Sequence, residues 1–111
     1  ELEYAMPVPV QSMVMFKQPS VQSEVSAHQD STYLYTQPLS TLGFWVALQD
    51  ANSQNGCLQV VPASHHNGVG QRFVLEDGGP ETHFIGHAEE PAADSFVELP
   101  VQAGDAIVFD G

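Results

Sequence analysis

At 111 residues, 42% of them hydrophobic and 14% charged, the chain has the size and composition of one globular domain that buries a single core. Two basic residues against 14 acidic ones give a formal charge of −12, which repels phosphate backbones and anionic lipid surfaces, so no nucleic-acid or membrane partner is expected. No window approaches the ~18 apolar residues that cross a bilayer, and a lone Cys57 closes no internal disulfide, so a cytoplasmic setting is expected. The chain begins at Glu1 without a start Met or signal-peptide pattern and stops at Gly111 directly after an apolar run. The expectation is an interior piece of a longer protein.

Taken in order, Ser12 to Gln18 reads as a strand that Pro19 stops by removing a ladder donor. Lys17 is expected at its solvated end. Ser20 to Ala27 is a polar connection, and His28 to Tyr35, rich in Thr and Tyr, resumes a strand. After a loop at Pro38 to Thr41, Leu42 to Leu48 is apolar on both faces and reads as a central strand. Gly43 and Ala47 leave room beside Trp45, whose indole is either core or the border of a cavity. Asp50 to Gly56 carries turn chemistry, and Gly56 to Val61 is expected to return as the second strand of a hairpin. Ser64 to Gly68 is a polar loop holding His65 and His66. A short strand covers residues 69–76, and Asp77 to Asp94, rich in Gly, Pro and acidic residues, reads as an excursion from the sheet. Ser95 to Val101 and Asp105 to Asp110 are strands joined by a turn. About seven short strands with frequent turns and no helical pattern predict an all-β sandwich or barrel.

One tripeptide carries chemistry. In His28-Gln29-Asp30 an imidazole and a carboxylate stand two apart, and on an extended backbone such side chains share a face roughly 6.6 Å apart along the chain. They can close on one metal ion. Two His and one carboxylate are the ligand face of non-haem Fe(II) oxygenases, and this tripeptide supplies two of those three ligands. A bare His-x-Asp is more often a pair of surface polar residues, so its surroundings decide. His83 and His87 are four apart, a zinc-binding spacing on a helix, but no helical pattern surrounds them. Phosphate-binding Gly-rich loops, nucleophile elbows and Cys-x-x-Cys pairs are absent from the sequence.

The chain resembles the phytanoyl-CoA dioxygenase family. The resemblance is carried by Phe16-Lys17-Gln18-Pro19, His28-Gln29-Asp30 through Leu39, Leu42 through Leu48, Asn55-Gly56-Cys57-Leu58, Pro62-Ala63-Ser64-His65 and Gly104-Asp105. It runs from about Met13 to Gly111, with the acidic excursion least matched. It implies a double-stranded β-helix, or jelly roll, of which 1–111 would be a single partial domain truncated at its C-terminus. It further implies that His28 and Asp30 bind Fe(II), that 2-oxoglutarate contacts Met13, Gln29, Asp30 and Trp45, and that O2 hydroxylates a small organic or acyl substrate while succinate and CO2 leave. Strict alternation turns Gln29 away from its neighbours, so its role asks for a twisted or bulged strand start.

The family's distal iron-binding His, and the Ser and Arg that hold the 2-oxoglutarate carboxylate, follow the strand matched by Ala106 to Asp110 and are not in this chain. Arg72 is the only arginine and lies in another strand. The family often has Gly where Ala63 stands. Two rivals remain: a jelly-roll module that binds metal or carboxylate without turnover, and a halogenase, which Asp30 disfavours because halogenation needs that ligand position vacant.

Overall fold

A computed structural model describes residues 4–18, 21 and 25–111. Among them are six strands, β1 (Leu42–Val46), β2 (Leu58–Val60), β3 (Gln71–Leu75), β4 (Thr82–Gly86), β5 (Val97–Leu99) and β6 (Ala106–Asp110), with three single 3-10 turns at Asp30–Thr32, Ser64–Asn67 and Ala93–Ser95. The described chain is all-β in character, as composition and turn spacing predict. No helix in it is long and apolar enough to cross a membrane.

The pairings are nested. β3 pairs β4, β2 pairs β5 and β1 pairs β6, all antiparallel, as three two-stranded ladders. An Ala51↔Val101 bridge continues the path between the β1–β6 and β2–β5 ladders. The chain is thus one long hairpin whose tip is the turn Glu76–Glu81, where the Glu76 N–H donates to the Glu81 carbonyl at 2.8 Å. Its two arms stay partnered back to Leu42 and Asp110. No closed barrel is formed by these ladders.

Strand β1 shows why its register is unique. Phe44, Val46 and Leu48 are exposed, whereas Trp45 is half-buried and Ala47 is 2% exposed, so the strand has one inner face rather than the two expected. Opposite it, Ile107 pairs Trp45 and Phe109 pairs Gly43. The Phe109 ring occupies the volume that a Cβ on Gly43 would need. A one-residue slip would put a side chain into that ring and turn Trp45 to solvent.

Other expectations are corrected. Residues 12–18 form no ladder, and Met13, Val14, Met15 and Phe16 are exposed; an apolar run without a partner strand does not become a strand. Lys17 is not a solvated end, because its Nζ donates to the Gly56 carbonyl at 2.7 Å and its side chain covers Gly56, whose φ of +86° suits glycine. The stop at Pro19 and part of the Ser20 to Ala27 connection lie outside the described residues. His28 to Tyr35 is not a strand: backbone hydrogen bonds from Thr32, Tyr33 and Leu34 close a turn onto Gln29 and Asp30. β1 and β2 form no hairpin, since the N–H groups of Asn55, Gly56 and Cys57 all donate to the Asn52 carbonyl, curling the loop so that β2 meets β5 instead. The excursion at Asp77 to Asp94 contains β4, held to β3 by the Phe73–Phe84 cross-strand pair, ring centroids 4.8 Å apart.

Ala63 sits at φ +62°, ψ +10°, a left-handed conformation in which its Cβ crowds the backbone. Ala63→Gly should stabilise the protein by about 0.5–1 kcal/mol, the relief of strain exceeding glycine's entropy cost. A higher urea midpoint at unchanged slope is the expected reading. Gly43→Ala should cost about 1–3 kcal/mol through overpacking against Phe109, and Phe109→Leu in the same chain should recover part of that loss in the same titration.

Candidate metal centre

Local backbone explains how His28 and Asp30 meet. Gln29 between them is extended, at φ −103° and ψ 133°, so its neighbours project to one side and its own side chain to the other. Asp30 then opens the 3-10 turn, its carbonyl accepting from the N–H groups of Tyr33 and Leu34 at 3.0 and 2.9 Å. Ser31 and Thr32 behind it are buried. The Thr41 hydroxyl donates to the Leu34 carbonyl at 2.7 Å, tying the turn to the start of β1. The carboxylate therefore stands on an anchored backbone.

His28 Nε2 lies 3.4 Å from Asp30 Oδ1, with the two side chains 38% and 32% exposed. His28 Nδ1 is 2.7 Å from the Ser26 carbonyl; a carbonyl only accepts, so Nδ1 carries the proton and donates. In the neutral ring Nε2 then presents a lone pair to a carboxylate oxygen. Two acceptors face each other, an arrangement that a cation between them stabilises. Cis ligands about 2.1 Å from an ion stand about 3 Å apart, so the pair fits a divalent cation after a small closure. The second-nitrogen hydrogen bond to a carbonyl is the outer support that metal-bound imidazoles carry.

The pair borders an open groove of about 460 Å³, lined also by Gln11, Met13, Val25, Ser26, Ala27, Tyr33 and Leu34. Tyr33 meets the His28 ring edge-on, centroids 6.0 Å apart, and packs against Phe73 and Phe84 in turn. No local pattern in the sequence marks Tyr33, because its placement depends on β3 and β4 arriving beside it. Among the described residues no third His, Cys, Asp or Glu completes a metal-binding group.

The remaining candidates divide. Met13 shares the groove with His28 and Asp30. Gln29 faces away, its Nε2 donating to the Gly68 carbonyl at 2.9 Å, and it lines a second cavity of about 210 Å³ with Tyr4, Ser31, His65, Asp110 and Gly111 among others. Trp45 lines neither cavity, and the room expected beside it at Gly43 is filled by Phe109. His65 stacks on His66, centroids 3.9 Å apart, and places Nε2 3.7 Å from Asp110 Oδ2. His83 lies in β4 and His87 just beyond it, so the helix that their zinc spacing requires is absent. Gly111 donates its N–H to the Thr41 carbonyl at 3.0 Å, and a Cβ on it would stand 3.0 Å from Asp30 Cβ. The end of β6 thus lies beside the pair.

Comparison with known proteins gives the same pattern of relationship along the whole chain. Residues 2–111 match the family Phytanoyl-CoA dioxygenase (PhyH). The chain is 49% identical over 109 residues to phytanoyl-CoA dioxygenase domain-containing protein 1 of Mus musculus, covering 96% of this chain and 38% of that protein. It is 44% identical over 110 residues to phytanoyl-CoA dioxygenase 1 of Oryza sativa subsp. japonica and 41% identical over 110 to phytanoyl-CoA dioxygenase of Arabidopsis thaliana. Those two alignments each cover 99% of this chain and 38% of the relative. The chain therefore spans a little over a third of the length of these relatives. With a match along nearly its full length and identities between 41% and 49%, this chain belongs to the phytanoyl-CoA dioxygenase family.

Proposed function

We propose that the chain is the part of an Fe(II)/2-oxoglutarate-dependent dioxygenase that supplies the His-x-Asp half of the iron site. The observation that carries this reading is the 3.4 Å approach of His28 Nε2 to Asp30 Oδ1 at an open groove, with Nδ1 already committed to the Ser26 carbonyl. Family membership supports a dioxygenase-type activity, and the donor set, one neutral imidazole and one carboxylate, suits Fe(II). When bound, the iron would activate O2 so that one oxygen atom enters 2-oxoglutarate, giving succinate and CO2, and the other enters a substrate C–H bond, giving an alcohol.

The chain's own residues prepare that site. The Ser26 carbonyl fixes the tautomer and orientation of His28, and the turn hydrogen bonds hold Asp30 without using its carboxylate oxygens. Met13, Val25 and Leu34 give the groove apolar walls, which suit a small organic or acyl substrate. In this reading Met13, which shares the groove with His28 and Asp30, borders the 2-oxoglutarate pocket. Gln29 contributes by pinning the Gly68 carbonyl, so that the second cavity's wall stays fixed against the turn. The nested strand order is the one from which a jelly roll is wound, and a single partial jelly-roll domain over 1–111 is proposed on that basis. Large apolar side chains left exposed, Met6 and Phe16 among them, are surface that further strands of such a domain would cover.

Metal ligation is tested first by Mn(II) binding. His28→Ala and Asp30→Ala should each weaken it at least about tenfold, as expected when one of two chelating groups is removed, and unchanged affinity in either variant would remove the assignment. In the intact protein, Asp30→Ala should abolish succinate formation from 2-oxoglutarate. Met13→Ala should preserve Mn(II) binding while weakening 2-oxoglutarate, since it removes a groove wall and no ligand. Because the described residues hold two ligands and not three, a binding module without turnover is the competing reading. It would show Mn(II) binding with no succinate in the wild-type protein.

A further inference from the structure

Asparagine followed by glycine occurs twice in the chain, at Asn55-Gly56 and at Asn67-Gly68. Glycine has no side chain to obstruct its backbone nitrogen, which can approach the side-chain carbonyl carbon of the preceding asparagine. Attack there closes a five-membered succinimide ring. The structure holds the two dipeptides under opposite conditions.

Asn55 is locked. Its Oδ1 accepts from the Asn52 N–H at 2.7 Å, and its Nδ2 donates to the Asp50 carbonyl at 2.7 Å. The attacking nitrogen is engaged as well, because the Gly56 N–H donates to the Asn52 carbonyl at 3.0 Å and the Lys17 side chain lies over Gly56. Ring closure there requires these three hydrogen bonds to open together.

Asn67 is exposed, and it takes part in none of the side-chain hydrogen bonds among the described residues. It ends the 3-10 turn Ser64–Asn67, which starts from the left-handed Ala63 and has no side-chain cap. That turn closes through a single long bond from the Gly68 N–H to the His65 carbonyl, 3.3 Å. Short 3-10 turns fray at their ends. Gly68, at φ +71° with nothing within 4 Å of the place a Cβ would take, has room to turn its nitrogen toward Asn67.

We propose that Asn67 is a site of spontaneous covalent modification, converting to aspartate and isoaspartate, and that the isoaspartate unfastens Gln29 from the loop. The Gly68 nitrogen attacks the Asn67 side-chain carbonyl carbon and gives up its proton, and the side-chain nitrogen leaves with that proton as ammonia. Water then opens the succinimide at either carbonyl. Opening at the backbone carbonyl gives isoaspartate, whose main chain runs through the former side chain and is one carbon longer. The Gly68 carbonyl just beyond it is the acceptor for Gln29 Nε2 at 2.9 Å, so the added carbon displaces the partner that fastens the His28-Gln29-Asp30 tripeptide to this loop. No step involves a metal or a substrate, and the proposal stands apart from the dioxygenase reading.

The test is incubation of the intact protein in mildly alkaline buffer, followed by peptide mapping with mass spectrometry and isoaspartyl methyltransferase labelling. Asn67 should convert at least about tenfold faster than Asn55, since opening two further hydrogen bonds lowers the reactive population by about that factor. Mapping separates position 67 from Asp77-Gly78 and Asp110-Gly111, which close the same ring by losing water. Asn67→Gln should remove the label at that position. As isoaspartate accumulates, the Gln29 side-chain amide should shift in a ¹H–¹⁵N spectrum and exchange faster with water, whereas fresh Asn67→Asp, with the charge and no extra carbon, should leave it in place. Equal rates at the two asparagines, faster conversion at Asn55, or no conversion at Asn67 while a free peptide of residues 64–70 reacts completely would overturn the proposal. So would isoaspartate at position 67 with the Gln29 amide unchanged.

Discussion

The docking of β6 on β1 is the constraint on which the site depends. These strands are the two ends of a long nested hairpin, and their register is set where the Phe109 ring takes the space over Gly43. With that register, Thr41 sits at the junction of three segments: its hydroxyl binds the Leu34 carbonyl, its own carbonyl receives the Gly111 N–H, and Gly111 lies against Asp30. A slip of one residue would move the end of β6 away from the carboxylate and expose the inner face of β1. The most buried described residues, Ser31, Thr32, Ala47, Ala51 and Cys57, are all small.

Within that frame a single extended residue decides which side chains work together. Because Gln29 is in the β region, His28 and Asp30 face the groove that holds Met13, and Gln29 faces the loop at Gly68. The tripeptide thereby binds in two directions: one face offers two electron-pair donors to a cation, and the other fastens the turn to the second cavity's wall. The same alternation operates in β3, where Phe73 supports the aromatic contacts that reach His28 through Tyr33, while Arg72 is placed over Tyr35.

The parts of this arrangement that could be read from the residues are those governed by local rules. The central strands β1, β2, β3, β5 and β6 follow from short β-rich runs between turn residues, and the His28/Asp30 pairing follows from the geometry of an i, i+2 relation. Gln29's outward direction follows from the same rule. What misled was local patterning without a partner: the Met13 to Phe16 run looks like a strand and has no ladder, and His28 to Tyr35 has strand composition but closes into a turn because Asp30's carbonyl finds two donors. β4 was hidden for the opposite reason, its Phe84 and Ile85 diluted by Gly, Pro and acidic neighbours and stabilised only by lying against β3.

Sequence alone determined the β character of the chain, its strong negative charge, the two-donor motif and, through the matched motifs, its family. These depend on composition and on contacts between near neighbours, which any conformer of the segment shares. Tertiary structure alone decided that β1 pairs with β6 and β2 with β5, that Phe109 fills the place beside Trp45, that Tyr33 stands between His28 and the β3–β4 hairpin, and that Arg72 lies over Tyr35 with Nε unmet. Each is a meeting of residues tens of positions apart, and such meetings are set by the collective register of the nested ladders rather than by any property of the residues that meet.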